Sequence, residues 1–136
     1  MHFLLRYFAA IAISCAAMMQ VHYEPAVVRL SGLLSLEEHY GPPNFGETPD
    51  VDVSERIIVL KLDSPIVVTA DPSDGANRDS FSNVKKVQLS GSVVSGLYAR
   101  VGNHVVVEGS LFEKQSSEHF TDVLMTARSV TNLPQN

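Results

Sequence analysis

After about residue 20 the chain consists of short runs in which apolar and polar residues alternate. A period of two is typical of β-strands with one buried face. The first run extends from Ala26 to Glu37, and its inward positions are apolar or glycine: Val28, Leu30, Gly32, Leu34 and Leu36. A glycine inside a strand usually marks a bulge or a bend, so we expect one at Gly32.

Four further strands are predicted by the same alternation. The second is interrupted at Asp63-Ser64-Pro65, because these residues favour turns. The predicted strands are Glu55–Leu62 resuming over Ile66–Thr69, Val84–Ser90, His104–Phe112 and Phe120–Thr131.

One short helix is predicted between the third and fourth strands. Ser92 is a suitable N-cap and Gly102 a suitable stop. Apolar residues recur between them at helical spacing over about nine residues, although Gly96 weakens the pattern. They are Val93, Val94, Leu97, Tyr98 and Val101.

The element order indicates a mainly β domain over residues 23–131, followed by a tail at 132–136. Three strands, a helix and two strands resemble the OB-fold, a small five-stranded and partly open barrel. A flat β-sandwich is the competing architecture.

The pattern of residues 1–20 predicts a helical signal peptide for export. Arg6 is their single fixed charge, and Tyr7–Met19 is apolar or small, the layout of a secretory signal. The run is too short for a comfortable membrane span. A core helix and a short membrane anchor are the alternatives.

Cys15, the single cysteine, ends this apolar run. Ala12-Ile13-Ser14-Cys15 resembles a lipobox, so Cys15 is a candidate lipidation residue, while ordinary cleavage nearby is slightly favoured over lipidation. The expected location is the periplasm, or the membrane through a lipid anchor. One cysteine excludes an intrachain disulfide.

Charge argues against nucleic-acid binding. The chain has 10 Lys and Arg against 15 Asp and Glu, a net charge of −5. Nucleic-acid binding requires clustered positive charge.

The long loop 38–54 is the candidate partner-binding segment. Two prolines stiffen it beside two aromatic residues, and rigid exposed aromatics suit protein or glycan binding. Alternatively, Phe45 folds back to cap the barrel mouth. The candidate residues are Tyr40, Pro42, Pro43, Asn44 and Phe45.

No catalytic constellation, metal site or cofactor is predicted. No serine lies in a nucleophile-elbow motif, and the spacing of His39, His104 and His119 does not match a zinc site. The loop Asp71–Asp79 has oxygen ligands that suit calcium, but its composition fits a solvated turn better.

Four segments resemble a family of exported bacterial proteins catalogued as a domain of unknown function. They are Tyr23–Gly32, Gly41–Phe45, Leu60–Ile66 and Val105–Phe112. The resemblance extends from about Tyr23 to Val130 and implies export and one compact β domain, without an activity. Members often have a His-rich turn before the last strand, of which only His119 is present here.

Three functions follow as hypotheses. The first is a non-enzymatic module that binds an envelope protein, as an inhibitor or immunity factor would. The second is a barrel that binds a small ligand or glycan. The third is a metal-dependent or acid–base enzyme that uses His39 or His119. The pattern assigns no oligomeric state.

Overall fold

Strands account for most of the residues that the computed structural model describes, which are residues 18–134. The predicted signal helix and Cys15 lie outside this part of the chain. The six strands are β1 (Met19–His22), β2 (Val28–Tyr40), β3 (Ser54–Thr69), β4 (Phe81–Ser90), β5 (His104–Glu113) and β6 (Val123–Asn132).

Strands β2 to β6 form a closed five-stranded barrel. β2 lies between β3 and β5, β5 pairs with β6, and β6 pairs in parallel with β4. The pairing of β4 with β3 closes the ring. The prediction of a partly open barrel is therefore wrong on this point. β3 pairs through one edge with β2 over residues 54–62 and through the other edge with β4 over residues 59–68, so the ring closes.

β3 continues through the predicted interruption at Asp63-Ser64-Pro65. The register between β3 and β4 shifts between Lys61 and Ile66, which is where these three residues lie. Proline is tolerated in strands at such irregularities because its missing N–H leaves no ladder bond unmade. Turn-forming residues here mark a β-bulge instead of an end.

Glycine occupies position 32 because the backbones of β2 and β3 approach each other closely there. β2 passes it without a register shift on either side, so the expected bulge is not found there. A Cβ at this position would collide with the carbonyl oxygen of Lys61. Gly109 is similar, since a Cβ there would collide with the carbonyl oxygen of Thr126.

The predicted inward positions form the core with one exception. The apolar residues at the inward positions of β4, β5 and β6 are buried, but so are three residues on the outer side, Gln88, Ser110 and Leu124. Leu36 is exposed, because the packed part of β2 ends at Leu34. Members of the core include Leu30, Leu34, Ile58, Leu60, Val87, Val105, Val107, Leu111 and Met125.

The segment between β4 and β5 contains two 3-10 turns, Ser92–Gly96 and Tyr98–Arg100, in place of the predicted nine-residue helix. The adjacent β-branched Val93 and Val94, followed by Gly96, favour an α-helix weakly. Leu97 between the turns is buried in the core. Among residues 18–134, no helix is long and apolar enough to span a bilayer.

The short strand β1 is not predicted by the alternation. It pairs in parallel with residues 66–69 of β3, and Val21 and Tyr23 join the core. β1 begins at Met19, within the last residues of the predicted signal segment.

Candidate functional site

The loop between β2 and β3, residues 41–53, is held by hydrogen bonds within itself. The N–H of Gly41 donates to the carbonyl oxygen of Val53 at 2.6 Å, and the N–H of Val53 donates to that of Pro42 at 2.9 Å. The N–H of Phe45 donates to the carbonyl oxygen of Gly41 at 2.9 Å. These bonds extend the hairpin beyond the strand ends and close the loop.

Asp52 organises the interior of this loop. Its Oδ1 accepts from the N–H of Asn44 and the hydroxyl of Thr48, both at 2.9 Å. Its Oδ2 accepts from the N–H groups of Gly46 at 2.8 Å and Thr48 at 3.1 Å. Desolvation of the carboxylate opposes ionisation, but these donors outweigh it and hold the pKa of Asp52 below its usual value.

Four apolar side chains of this region point into solvent. Their exposed fractions are 48% for Tyr40, 45% for Phe45, 65% for Val51 and 56% for Val53. Phe45 therefore keeps nearly half of its surface open to solvent. These four side chains are called the apolar loop surface below.

Sequence reasoning named Tyr40 and Phe45 but missed Asp52, Val51 and Val53. Asn44, also predicted, contributes through its backbone N–H and through its amide, which donates to Thr48 Oγ1 at 2.9 Å. The alternation Val51-Asp52-Val53 directly before β3 is the signal that could have placed Asp52 on one side and both valines on the other.

His39 packs against the loop that joins β5 and β6, residues 114–122. Its ring stacks on Phe120 with centroids 4.3 Å apart. Its Nε2 lies 3.0 Å from Oε1 of Glu37, whose carboxylate also contacts Lys86 Nζ at 3.1 Å. Burial opposes ionisation of Glu37, but hydrogen bonds from His39 and Lys86 lower its pKa overall.

Gln88 fastens the same loop to the barrel wall. Its Oε1 accepts from the N–H of Phe120 at 2.7 Å, and its Nε2 donates to the carbonyl oxygen of Glu118 at 3.3 Å. The N–H of Gln88 donates to the hydroxyl of Thr121 at 3.0 Å. Under this loop Val59 and Leu124 are fully buried on the outer side of the barrel.

His119 also has a local structural role. Its Nδ1 accepts from the N–H of Gln115 at 3.0 Å, and its ring meets Phe112 edge-on at 5.6 Å. Neither His39 nor His119 lines the two surface hollows described below. In the described part of the chain, no three His, Cys, Asp or Glu side chains converge as a metal site.

Two of the three acids of loop 71–79 accept hydrogen bonds within the loop. Asp71 Oδ1 accepts from the N–H and hydroxyl of Ser73 at 2.9 and 2.7 Å. Asp74 Oδ1 accepts from the N–H of Ala76 at 2.9 Å. Buried Asn77 ties the loop to β5, because its Oδ1 accepts from the N–H of Glu113 at 2.8 Å. Hydrogen bonds within the loop and to β5 therefore hold this segment in place.

Asp63 and His104 form a pair that sequence reasoning missed. His104 Nε2 lies 2.6 Å from Asp63 Oδ2. A hollow of about 490 Å³ adjoins Asp63, and its wall is largely apolar, including Met19, Leu62 and Ile66. No sequence signal joins two residues 41 positions apart on strands separated by β2.

Comparison with known proteins gives one match. The model of a family described as a domain of unknown function, DUF4431, matches residues 86–131. This range extends from the end of β4 to β6, so the match covers about a third of the chain and assigns no activity. No curated protein and no solved structure matches this chain.

Proposed function

We propose that this protein is a non-enzymatic binding module that recognises an envelope protein through loop 41–53. The observation that carries the proposal is the loop itself: Asp52 accepts hydrogen bonds from Asn44, Gly46 and Thr48 while the apolar loop surface stays exposed. A preorganised loop loses little conformational entropy on binding, and aromatic side chains supply much of the energy at protein interfaces.

The strand order supports an OB-like barrel as the scaffold. Counting β2 to β6 as strands one to five, the ring runs 1-2-3-5-4 and back to 1, with the third and fifth strands parallel. OB-folds bind ligands with the loops that join strands one to two and four to five. Here those loops are 41–53 and 114–122.

Export is the second part of the proposal. The apolar run Tyr7–Met19 behind Arg6 supports it, with cleavage near Ala17 or lipidation at Cys15 as the two routes. Either route would leave β1 intact, because β1 begins at Met19 and contributes Val21 to the core. Mass spectrometry of the mature N-terminus separates a diacylated Cys15 from an unmodified later start, and an intact Met1 would contradict export.

Site-specific photo-crosslinking in intact cells tests partner binding. A photoreactive residue replaces Phe45 in one variant and Val27, an exposed residue outside the loop, in the control. We expect one envelope protein to be captured from position 45 and not from position 27. Capture of the same proteins from both positions, or none from position 45, would contradict the proposal.

Loop variants then measure affinity for the captured protein. Phe45→Ser with Val51→Ser should weaken binding by roughly tenfold or more, the usual effect of losing an interface hot spot. Val27→Ser is the matched control and should bind normally. Equal affinity of both variants would show that the partner uses another surface.

Small-ligand or glycan binding is the second candidate. The hollow of about 490 Å³ beside Asp63 favours it, because a largely apolar wall with a few polar groups is typical of ligand sites. A screen of oligosaccharides by thermal shift tests it, with Asp63→Asn expected to lose the response. No response by the wild type would remove this candidate.

A further inference from the structure

A second hollow lies on the outer wall of the barrel over β5 and β6. Its volume is about 410 Å³, and it is lined by Glu24, Pro25, Ser110, Thr126 and Arg128. Residues 24 and 25 come from the segment between β1 and β2. Ser110 on β5 pairs with Thr126 on β6, and Arg128 lies two residues further along β6.

Ser110 has an unused hydroxyl at this site. The residue is 5% exposed, and its Oγ has no hydrogen-bond partner within residues 18–134. Buried polar groups are nearly always satisfied, so an exception calls for an explanation. Serine has a single side-chain torsion, and rotation about it turns the hydroxyl toward a group that enters the hollow.

Arg128 is placed at the hollow by a bulge in β6. Glu108 pairs with Ser129 and Gly109 pairs with Ala127, so Arg128 is the extra residue of β6. Bulges re-aim side chains and are frequent beside functional sites. Within residues 18–134 the Arg128 guanidinium forms no ion pair.

We propose that this hollow binds a small ligand through a singly charged carboxylate. The planar guanidinium of Arg128 matches a carboxylate with two parallel hydrogen bonds. The hydroxyls of Ser110 and Thr126 supply further donors beside it. Glu24 and Arg128 both line the hollow, so their opposite charges nearly cancel for the ligand. The second charge of a dianion such as phosphate therefore gains little Coulomb energy here, while its desolvation costs more than that of a monoanion.

This site is separate from the loop proposed for partner binding. Ser110, Thr126 and Arg128 all lie within the DUF4431 match at residues 86–131, whereas loop 41–53 lies outside it. The proposal of a carboxylate site and the proposal of partner binding through the apolar loop surface can therefore be tested independently.

Titration of the ¹⁵N-labelled protein tests the site, with sodium acetate as the probe and sodium chloride as the ionic control. We expect saturable shifts at the amides of Ser110, Thr126 and Arg128, with a dissociation constant on the order of millimolar, since so small a ligand makes few contacts. Phosphate should bind more weakly than acetate. Equal or tighter binding of phosphate would overturn the carboxylate assignment.

Two variants and a control complete the test. Arg128→Gln should weaken acetate binding by roughly tenfold or more, the effect of losing charged hydrogen bonds. Ser110→Ala should weaken it severalfold without lowering the melting temperature, because the Ser110 hydroxyl forms no hydrogen bond with any of residues 18–134. Arg29→Gln, which changes an exposed arginine outside the hollow, should bind normally. Shifts that do not saturate, or that persist in Arg128→Gln, would overturn the proposal.

Discussion

His104 on β5 reaches across β2 to Asp63 on β3, with Nε2 and Oδ2 2.6 Å apart. The contact exists because both side chains leave the barrel on its outer side, on strands that flank β2. The hydrogen bond from His104 is the main cause that lowers the pKa of Asp63, assisted by Ser31, while desolvation opposes it.

The first prediction concerns the charge of Asp63. His104→Gln should raise the pKa of Asp63 toward its usual value, measured by carboxyl ¹³C NMR. Because the folded pKa is the lower one, the stabilising effect of Asp63 is present above its unfolded pKa and is lost as pH falls through the folded pKa. In His104→Gln this dependence of stability on acid pH should become smaller. His22→Gln is the control, and an unchanged Asp63 pKa in His104→Gln would refute the assignment.

The second prediction concerns the order of loop 41–53. Asp52→Asn should accelerate hydrogen exchange of the amides of Asn44, Gly46 and Thr48, because the carboxylate that accepts their hydrogen bonds is lost or weakened. Local opening of a loop outside the core leaves global stability largely unchanged. The melting temperature should therefore move little. Asp50→Asn, an exposed acid of the same loop, should exchange like the wild type.

The same loop should respond to acid. The pKa of Asp52 is lowered on folding, so its contribution is complete above the ordinary aspartate pKa of about 3.9 and is lost as pH falls through the lower folded value. Fluorescence of a reporter placed at Phe45 should change in that acid range in the wild type and not in Asp52→Asn. A change with the same midpoint in both proteins would assign the acid response to another group.

The third prediction concerns close packing of backbones. Gly32→Ala should destabilise the barrel by about 1–3 kcal/mol, since overpacking forces the backbone to shift. The added Cβ would meet the carbonyl oxygen of Lys61. Gly75→Ala is the matched control, because none of residues 18–134 has an atom within 4 Å of a Cβ at that position. Chemical denaturation measures both, and equal stability of the two variants would contradict the collision.

The fourth prediction concerns the fastening of loop 114–122. Gln88→Leu should cost about 1–3 kcal/mol, because it leaves the N–H of Phe120 and the carbonyl oxygen of Glu118 without their partner. Urea denaturation and hydrogen exchange of the loop measure the effect. Gln115→Leu, which changes an exposed residue of the same loop, should be near neutral. Similar losses in both variants would show that Gln88 does not fasten the loop.

The sequence predicted the strands better than it predicted their limits. Alternation located all five barrel strands and most of the core, because burial of one face imposes a period of two. The prediction failed at Asp63-Ser64-Pro65. These residues were expected to interrupt the strand, but β3 continues through them with a shift in its register to β4. The prediction also failed at Ser92–Val101, where apolar spacing resembled a helix but weak helix formers adopt 3-10 turns.

For the candidate site, composition singled out the loop after β2 but not the hydrogen bonds that hold it. Two prolines and two aromatics marked residues 40–45, while Asp52 needed the folded loop to be recognised. The sequence also did not predict either surface hollow or the Asp63–His104 pair, because their residues come from segments far apart in the chain.

The chain by itself determined a β-rich domain, acidic and without an intrachain disulfide, because strand periodicity, charge and cysteine number are local or additive properties. Tertiary structure alone decided that the barrel closes and that His39 packs on Phe120. It also placed Arg128 at a bulge near Ser110, whose hydroxyl has no hydrogen-bond partner in the described part of the chain. These features depend on register between strands distant in sequence, which alternation along one strand cannot specify.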